Sequence, residues 1–126
     1  MINKKKDSEK KSKLIEEAIA RLVEMGHEQI KADTNEWESP AKMINRSSGI
    51  EFTPDITAKF RGAKVYAEVA HKTDDERDLI TKWRLLETVA KMKEGAFKIF
   101  VPRGHMKYTR DLLSRHNMST ELVKMF

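Results

Sequence analysis

Two carboxylates in this chain stand where a strand pair would bring them side by side: Asp55, directly after Pro54, and Glu68. The run Phe52–Phe60 alternates, with Ile56, Ala58 and Phe60 on one face and Asp55, Thr57 and Lys59 on the other. The run Lys64–Lys72 places Val65, Ala67 and Val69 on one face and Tyr66, Glu68 and Ala70 on the opposite one. Joined through Arg61-Gly62-Ala63, the two runs read as a hairpin. With Arg61-Gly62 as the turn, Asp55 lies directly opposite Glu68. With Gly62-Ala63 as the turn, Asp55 opposes Ala70 and Glu68 becomes its diagonal neighbour. Both registers put the carboxylates on one face, with roughly 5–8 Å between their β-carbons. A three-residue loop would put them on opposite faces.

Carboxylates crowded at one spot repel unless a cation lies between them. Few, hard oxygen ligands with room for water and a phosphate suit Mg²⁺ or Mn²⁺. Such an ion polarises a phosphodiester and acidifies a bound water, so the natural chemistry is phosphodiester hydrolysis. The plainer alternative is a hairpin on a one-sided sheet, where Asp55 and Glu68 are solvated charges on the wet face.

The elements around the hairpin decide what reaches it. Leu14, Ile15, Ala18, Ile19, Leu22 and Val23 recur at helical spacing and Gly26 sits where a helix stops, which predicts a helix over about 12–25. A short strand follows around 28–32. Residues 33–49, with Pro40 and Ser47-Ser48-Gly49, read as a long loop with at most one helical turn. After the hairpin, a helix is expected over 75–93. Thr73 or Asp74 would cap it, Leu79, Trp83, Leu86, Val89 and Ala90 would form its apolar face, and Gly95 would end it. A buried strand at 96–101, a helix at 106–116 and a last strand at 121–126 complete the order α-β-β-β-α-β-α-β. That order describes an α/β domain, a mixed sheet with helices on both faces.

At the hairpin the sequence resembles the PD-(D/E)XK nuclease superfamily, in particular its small bacterial members. The resemblance spans about residues 12–126. It is carried by Pro54-Asp55-Ile56-Thr57-Ala58, by Tyr66-Ala67-Glu68-Val69-Ala70-His71-Lys72, by Lys82-Trp83 and by Phe97-Lys98-Ile99-Phe100-Val101-Pro102. It implies a restriction-endonuclease-like core and Mg²⁺ or Mn²⁺ held by Asp55 and Glu68. It further implies a catalytic lysine, DNA as substrate, and work as a homodimer, since cutting two strands needs two sites. The chain departs from the pattern where it matters, because the lysine position two after Glu68 is Ala70. Lys72 is on the same face, two residues beyond Ala70 and about 13 Å from Glu68 along the strand, and is the first candidate for the missing cation. Lys82, on the following helix, is the reserve. If neither reaches the carboxylates, the alternative is an inactive member of the fold that binds nucleic acid or another protein. An adaptor-like partner of another chain is a third reading.

By the same resemblance a glutamate of the first helix, Glu16 or Glu17, is an additional candidate acid. Arg103, Lys107 and Arg110, with His105 and Arg115, make the last helix basic, either as phosphate contacts or as a solvated face. Trp37 is expected to fold down onto the core. The four histidines lie in separate elements without metal-ligand spacing, and His71 should point away from Glu68. No phosphate-binding glycine motif is present.

Composition sets outer bounds. A chain of 126 residues is expected to form one domain, here 13–126 after a flexible basic tail at 1–12. The first thirteen residues carry six lysines against Asp7 and Glu9, a net of +4 out of the chain's +5, so the high pI mostly reports that segment. The absence of cysteine and of long apolar runs leads to the expectation of a cytoplasmic protein with no membrane partner.

Overall fold

The computed structural model describes residues 4–73 and 75–126, and for residues 4–8 the backbone only. The order is α1 (Lys4–Glu24), β1 (Glu28–Ala32), β2 (Met43–Ile44), β3 (Glu51–Phe52), β4 (Ile56–Phe60), β5 (Ala63–Val69), α2 (Glu76–Met92), β6 (Ala96–Val101), α3 (Met106–Arg115) and β7 (Glu121–Lys124). Five strands form a mixed sheet in the order β1-β4-β5-β6-β7, while β2 and β3 pair separately. The first three are antiparallel neighbours. β5, β6 and β7 run parallel, each link made by a helix, as parallel strands require.

Helices cover both faces. Ile15, Ala18, Ile19 and Leu22 of α1 pack on Ile56, Ala67, Val69 and Phe100. On the other face Ile80, Trp83, Leu86 and Ala90 of α2, with Leu112 and Leu113 of α3, pack on Tyr66, Phe97, Ile99 and Val101. Burial on both sides explains why β5 and β6 read as nearly continuous apolar runs.

Several boundaries differ from expectation for local reasons. α1 begins at Lys4 rather than near 12, so residues 4–12 of the expected flexible tail are helical and only 1–3 lie outside the described residues. The strand expected from Phe52 is broken by Pro54, which has no N–H for the ladder. Phe52 ends the small β2–β3 pair, and β4 starts only at Ile56. That small pair replaces part of the expected loop. Asp75 caps α2, accepting from the Asp78 N–H at 3.3 Å; Asp74, one expected cap, lies outside the described residues. Trp37 is 39 % exposed, not folded onto the core, and Val23 of the apolar set is exposed too. No helix among the described residues is long and apolar enough to cross a membrane.

The hairpin has the first of the two registers. Phe60 pairs with Ala63 and Ile56 with Ala67, leaving Arg61 and Gly62 as a two-residue turn. Their φ angles of 51° and 82° are those of a type I′ turn, whose twist suits a hairpin. One residue further along, Asp55 falls opposite Glu68.

Candidate functional site

Asp55 sits at the mouth of β4, where its own carbonyl accepts from the Asp33 N–H at 2.8 Å. Glu68 is the penultimate residue of β5, in the centre of the sheet. Each is only 1 % exposed, so the solvated-face alternative is ruled out: these are buried acids beneath two covering layers. Their inner oxygens are tied to backbone. The Asp55 N–H donates to Glu68 Oε2 at 2.6 Å and the Val69 N–H to Asp55 Oδ2 at 2.9 Å. Two carboxylates thus lock each other's strand ends, and their other oxygens, Asp55 Oδ1 and Glu68 Oε1, are aimed at one point.

Lys82 of α2 occupies that point. Its Nζ lies 3.0 Å from Glu68 Oε1 and 3.6 Å from Asp55 Oδ1, and its side chain is 14 % exposed. Trp83 Nε1–H donates to Glu68 Oε1 at 3.3 Å. From α1, Lys11 Nζ reaches Asp55 Oδ1 at 3.1 Å. The four charges sum to zero, which is how two acids tolerate burial at all.

The environments push the two acids apart. Burial would raise the Asp55 carboxyl, but the Lys11 and Lys82 ammoniums and the Val69 N–H hold it below the usual carboxylate range. Glu68 is pushed up to about 7, by burial first and by the Asp55 charge second, against the pull of Lys82 and Lys11. Burial alone would lower Lys82, yet Glu68 and Asp55 outweigh it and keep the ammonium above an ordinary lysine. Lys82 is therefore a fixed positive charge, not a base.

A divalent cation would find only two carboxylates here, and their outer oxygens are already paired with Lys82 and Lys11. Among the described residues no three His, Asp or Glu side chains converge. Two carboxylate oxygens would be the protein's side-chain ligands, with water and substrate oxygens supplying the rest, a manner of binding usual for Mg²⁺.

The other expected residues are placed elsewhere. Lys72, the first candidate for the catalytic cation, extends over the Tyr108 ring, its Nζ 6.0 Å from the centroid. β5 ends at Val69, and the Ala70 N–H is committed to the Phe100 carbonyl, so there is no bulge to turn Lys72 back. Glu17 lines a groove with Arg103 and Phe126, and Glu16 a separate one with Asp33. Arg103 stacks over Phe126, and Lys107 and Arg110 are exposed on α3; none joins the carboxylates. His71 stacks with His105, ring centroids 6.1 Å apart, and lines a cleft shared with Val69 and Lys82.

Sequence reasoning missed Lys11, which it assigned to the tail. The signal was present: Lys11 is one turn before Ile15 on the buried stripe of α1, continuing through Ala18 and Leu22. A lysine on an apolar stripe needs a partner, and Asp55 is that partner.

Compared with known proteins, the chain matches no family model, no curated protein and no solved structure.

Proposed function

We propose that this chain is a metal-dependent nuclease-like domain that hydrolyses DNA phosphodiesters, with Asp55 and Glu68 as ligands of Mg²⁺ or Mn²⁺ and Lys82 as the catalytic cation. The observation that carries it is the buried Asp55–Glu68–Lys82 cluster, in which a helix lysine supplies the charge that Ala70 cannot. The restriction-endonuclease-like core is part of the same proposal, supported by the mixed sheet with helices on both faces.

A bound divalent ion would supply a Lewis acid and a water of lowered pKa. The chain's own residues supply the rest. The Asp55 and Val69 N–H groups and the Trp83 indole hold the carboxylates in fixed orientations, so they need not reorganise when a substrate arrives. Lys82 remains protonated. It is suited to orient an attacking water through its N–H groups and to stabilise charge growing on the phosphoryl oxygens. With the protein cluster neutral, an added divalent ion leaves a net positive site for an anionic backbone.

The same neutrality favours a second reading. Two lysines already compensate two acids, so the cluster is also complete as a structural ion network in a non-catalytic module that binds nucleic acid or protein. Calorimetry with Mn²⁺ separates the two. The nuclease reading expects binding that Asp55→Ala and Glu68→Ala each abolish; no binding at millimolar concentrations, with or without a DNA strand present, favours the module.

A further inference from the structure

At the far end of α2 from the acid cluster, a groove of about 360 Å³ opens between the last turns of that helix, β2 and the sheet. Its Lys64 stands on β5 four residues before Glu68, roughly 13 Å along the strand, so the two sites are separate. Lys42, Lys64 and Lys93 line the groove, and no acidic side chain does. Thr57 and Tyr66, cross-strand neighbours on β4 and β5, line it from the sheet, and Met43, Leu85 and Val89 supply apolar walls. We infer that this groove binds a small phosphate monoester, its phosphate held by the three lysines and the Thr57 and Tyr66 hydroxyls, its organic part against Met43, Leu85 and Val89. The inference is independent of the nuclease reading.

Three observations carry it. Thr57 is 3 % and Tyr66 4 % exposed, yet neither hydroxyl has a hydrogen-bond partner among the described residues, and neither oxygen is sealed from solvent. Buried polar groups are nearly always paired, so two adjacent exceptions on one groove point to a ligand that accepts hydrogen bonds. The positive charge here is also uncompensated. Lys64 lies directly across from Lys59, a pairing of like charges that costs stability. Burial, with the charges of Lys93, Lys31 and Lys59, lowers its ammonium below an ordinary lysine. Among the described residues no carboxylate comes within ion-pair distance of Lys64 or Lys93. Lys42 meets Glu51 only at 4.0 Å, both side chains well exposed, and Lys31, outside the groove, is paired with Glu38. Lastly, the volume suits a small ligand. Three ammoniums and two hydroxyls match a dianion with three terminal oxygens better than a carboxylate with two.

The test is calorimetry with the whole chain in EDTA, using phenyl phosphate, inorganic phosphate and benzoate. The expected result is saturable binding of phenyl phosphate, about five-fold or more tighter than either of the others. It should weaken by about ten-fold in Lys64→Met and about five-fold in Thr57→Val, as the loss of one hydrogen bond to a charged group requires. Lys64→Met removes one of two facing lysines and should melt no lower than the wild type. Lys124→Met, an exposed lysine of β7, should bind unchanged. No saturable binding of phenyl phosphate at millimolar concentrations overturns the inference. So does a Thr57→Val protein that melts like the wild type and binds unchanged, or an equal loss in Lys124→Met. Inorganic phosphate bound as tightly as phenyl phosphate assigns the groove to free phosphate and overturns the ester. A DNA strand that binds through Lys64 and Thr57 where phenyl phosphate does not makes the groove a backbone contact and overturns it as well.

Discussion

Replacing Lys82 with methionine keeps the volume of the side chain and removes the ammonium that both acids share. At pH 8 Asp55 and Glu68 would then face each other, 1 % exposed, with only the half-exposed Lys11 as counter-charge. Breaking a buried ion pair by removing one partner costs about 3–5 kcal/mol. For a domain of 126 residues this corresponds to a fall in melting temperature of roughly 12–20 °C, at roughly 4 °C per kcal/mol. The loss should depend on pH. Below about 7 Glu68 takes up a proton in the wild type, so Lys82 has one charged partner instead of two. At pH 5 the difference between variant and wild type should therefore shrink to roughly half. Thermal melts followed by circular dichroism in EDTA at pH 5 and pH 8 give both numbers. An equal loss at the two pH values, or a loss below about 1 kcal/mol at pH 8, would refute the view that this ammonium holds the cluster together.

Three further outcomes follow from the same contacts. Glu68 in the folded protein titrates near 7, above its ordinary value of 4.5, so its contribution to stability is fully present below 4.5 and is lost as pH rises through 7, by roughly 3 kcal/mol. Urea melts of wild type and Glu68→Gln across pH 5–8 should show that slope only in the wild type, and parallel curves would contradict it. Gly95→Ala would bring a β-carbon within 2.1 Å of the Lys64 carbonyl oxygen, backbone that cannot swing aside, and should lower stability by about 2–3 kcal/mol; a melting temperature within a degree or two of wild type would be the wrong result. Lys72→Ala should leave Mn²⁺ affinity and DNA cleavage unchanged, because Lys72 lies over Tyr108 and away from the carboxylates; a loss in either would return Lys72 to the site.

Much of the site was legible because strand parity is strict. Once Arg61-Gly62 forms the turn, period-2 alternation puts Asp55 against Glu68, and in the structure both turn residues adopt positive φ. The helix order was equally readable, since the apolar stripe Leu79, Trp83, Leu86, Val89 and Ala90 repeats at helical spacing, although Ile80 rather than Leu79 is the buried residue of its first turns. What was not legible depends on contacts between distant elements. The choice between Lys72 and Lys82 turns on where β5 ends and how α2 crosses the sheet, and local sequence contains neither. Lys11 was lost to a compositional habit: a lysine-rich start reads as a solvated tail, although its place on the stripe of α1 turns it toward the buried Asp55. The β2–β3 pair, which brings Met43 to the lysine-lined groove, is too short to leave a periodic signal.

The most direct measurement is cleavage of single-stranded and duplex DNA with Mn²⁺, by the wild type, Asp55→Asn and Lys82→Met, each below its own melting temperature. The expected result is cutting by the wild type that EDTA stops and that each substitution lowers by about 100-fold or more. Cleavage that survives both substitutions, or none by the wild type on any of these substrates with Mn²⁺ or Mg²⁺, would contradict the assignment of Asp55, Glu68 and Lys82 as a nuclease centre.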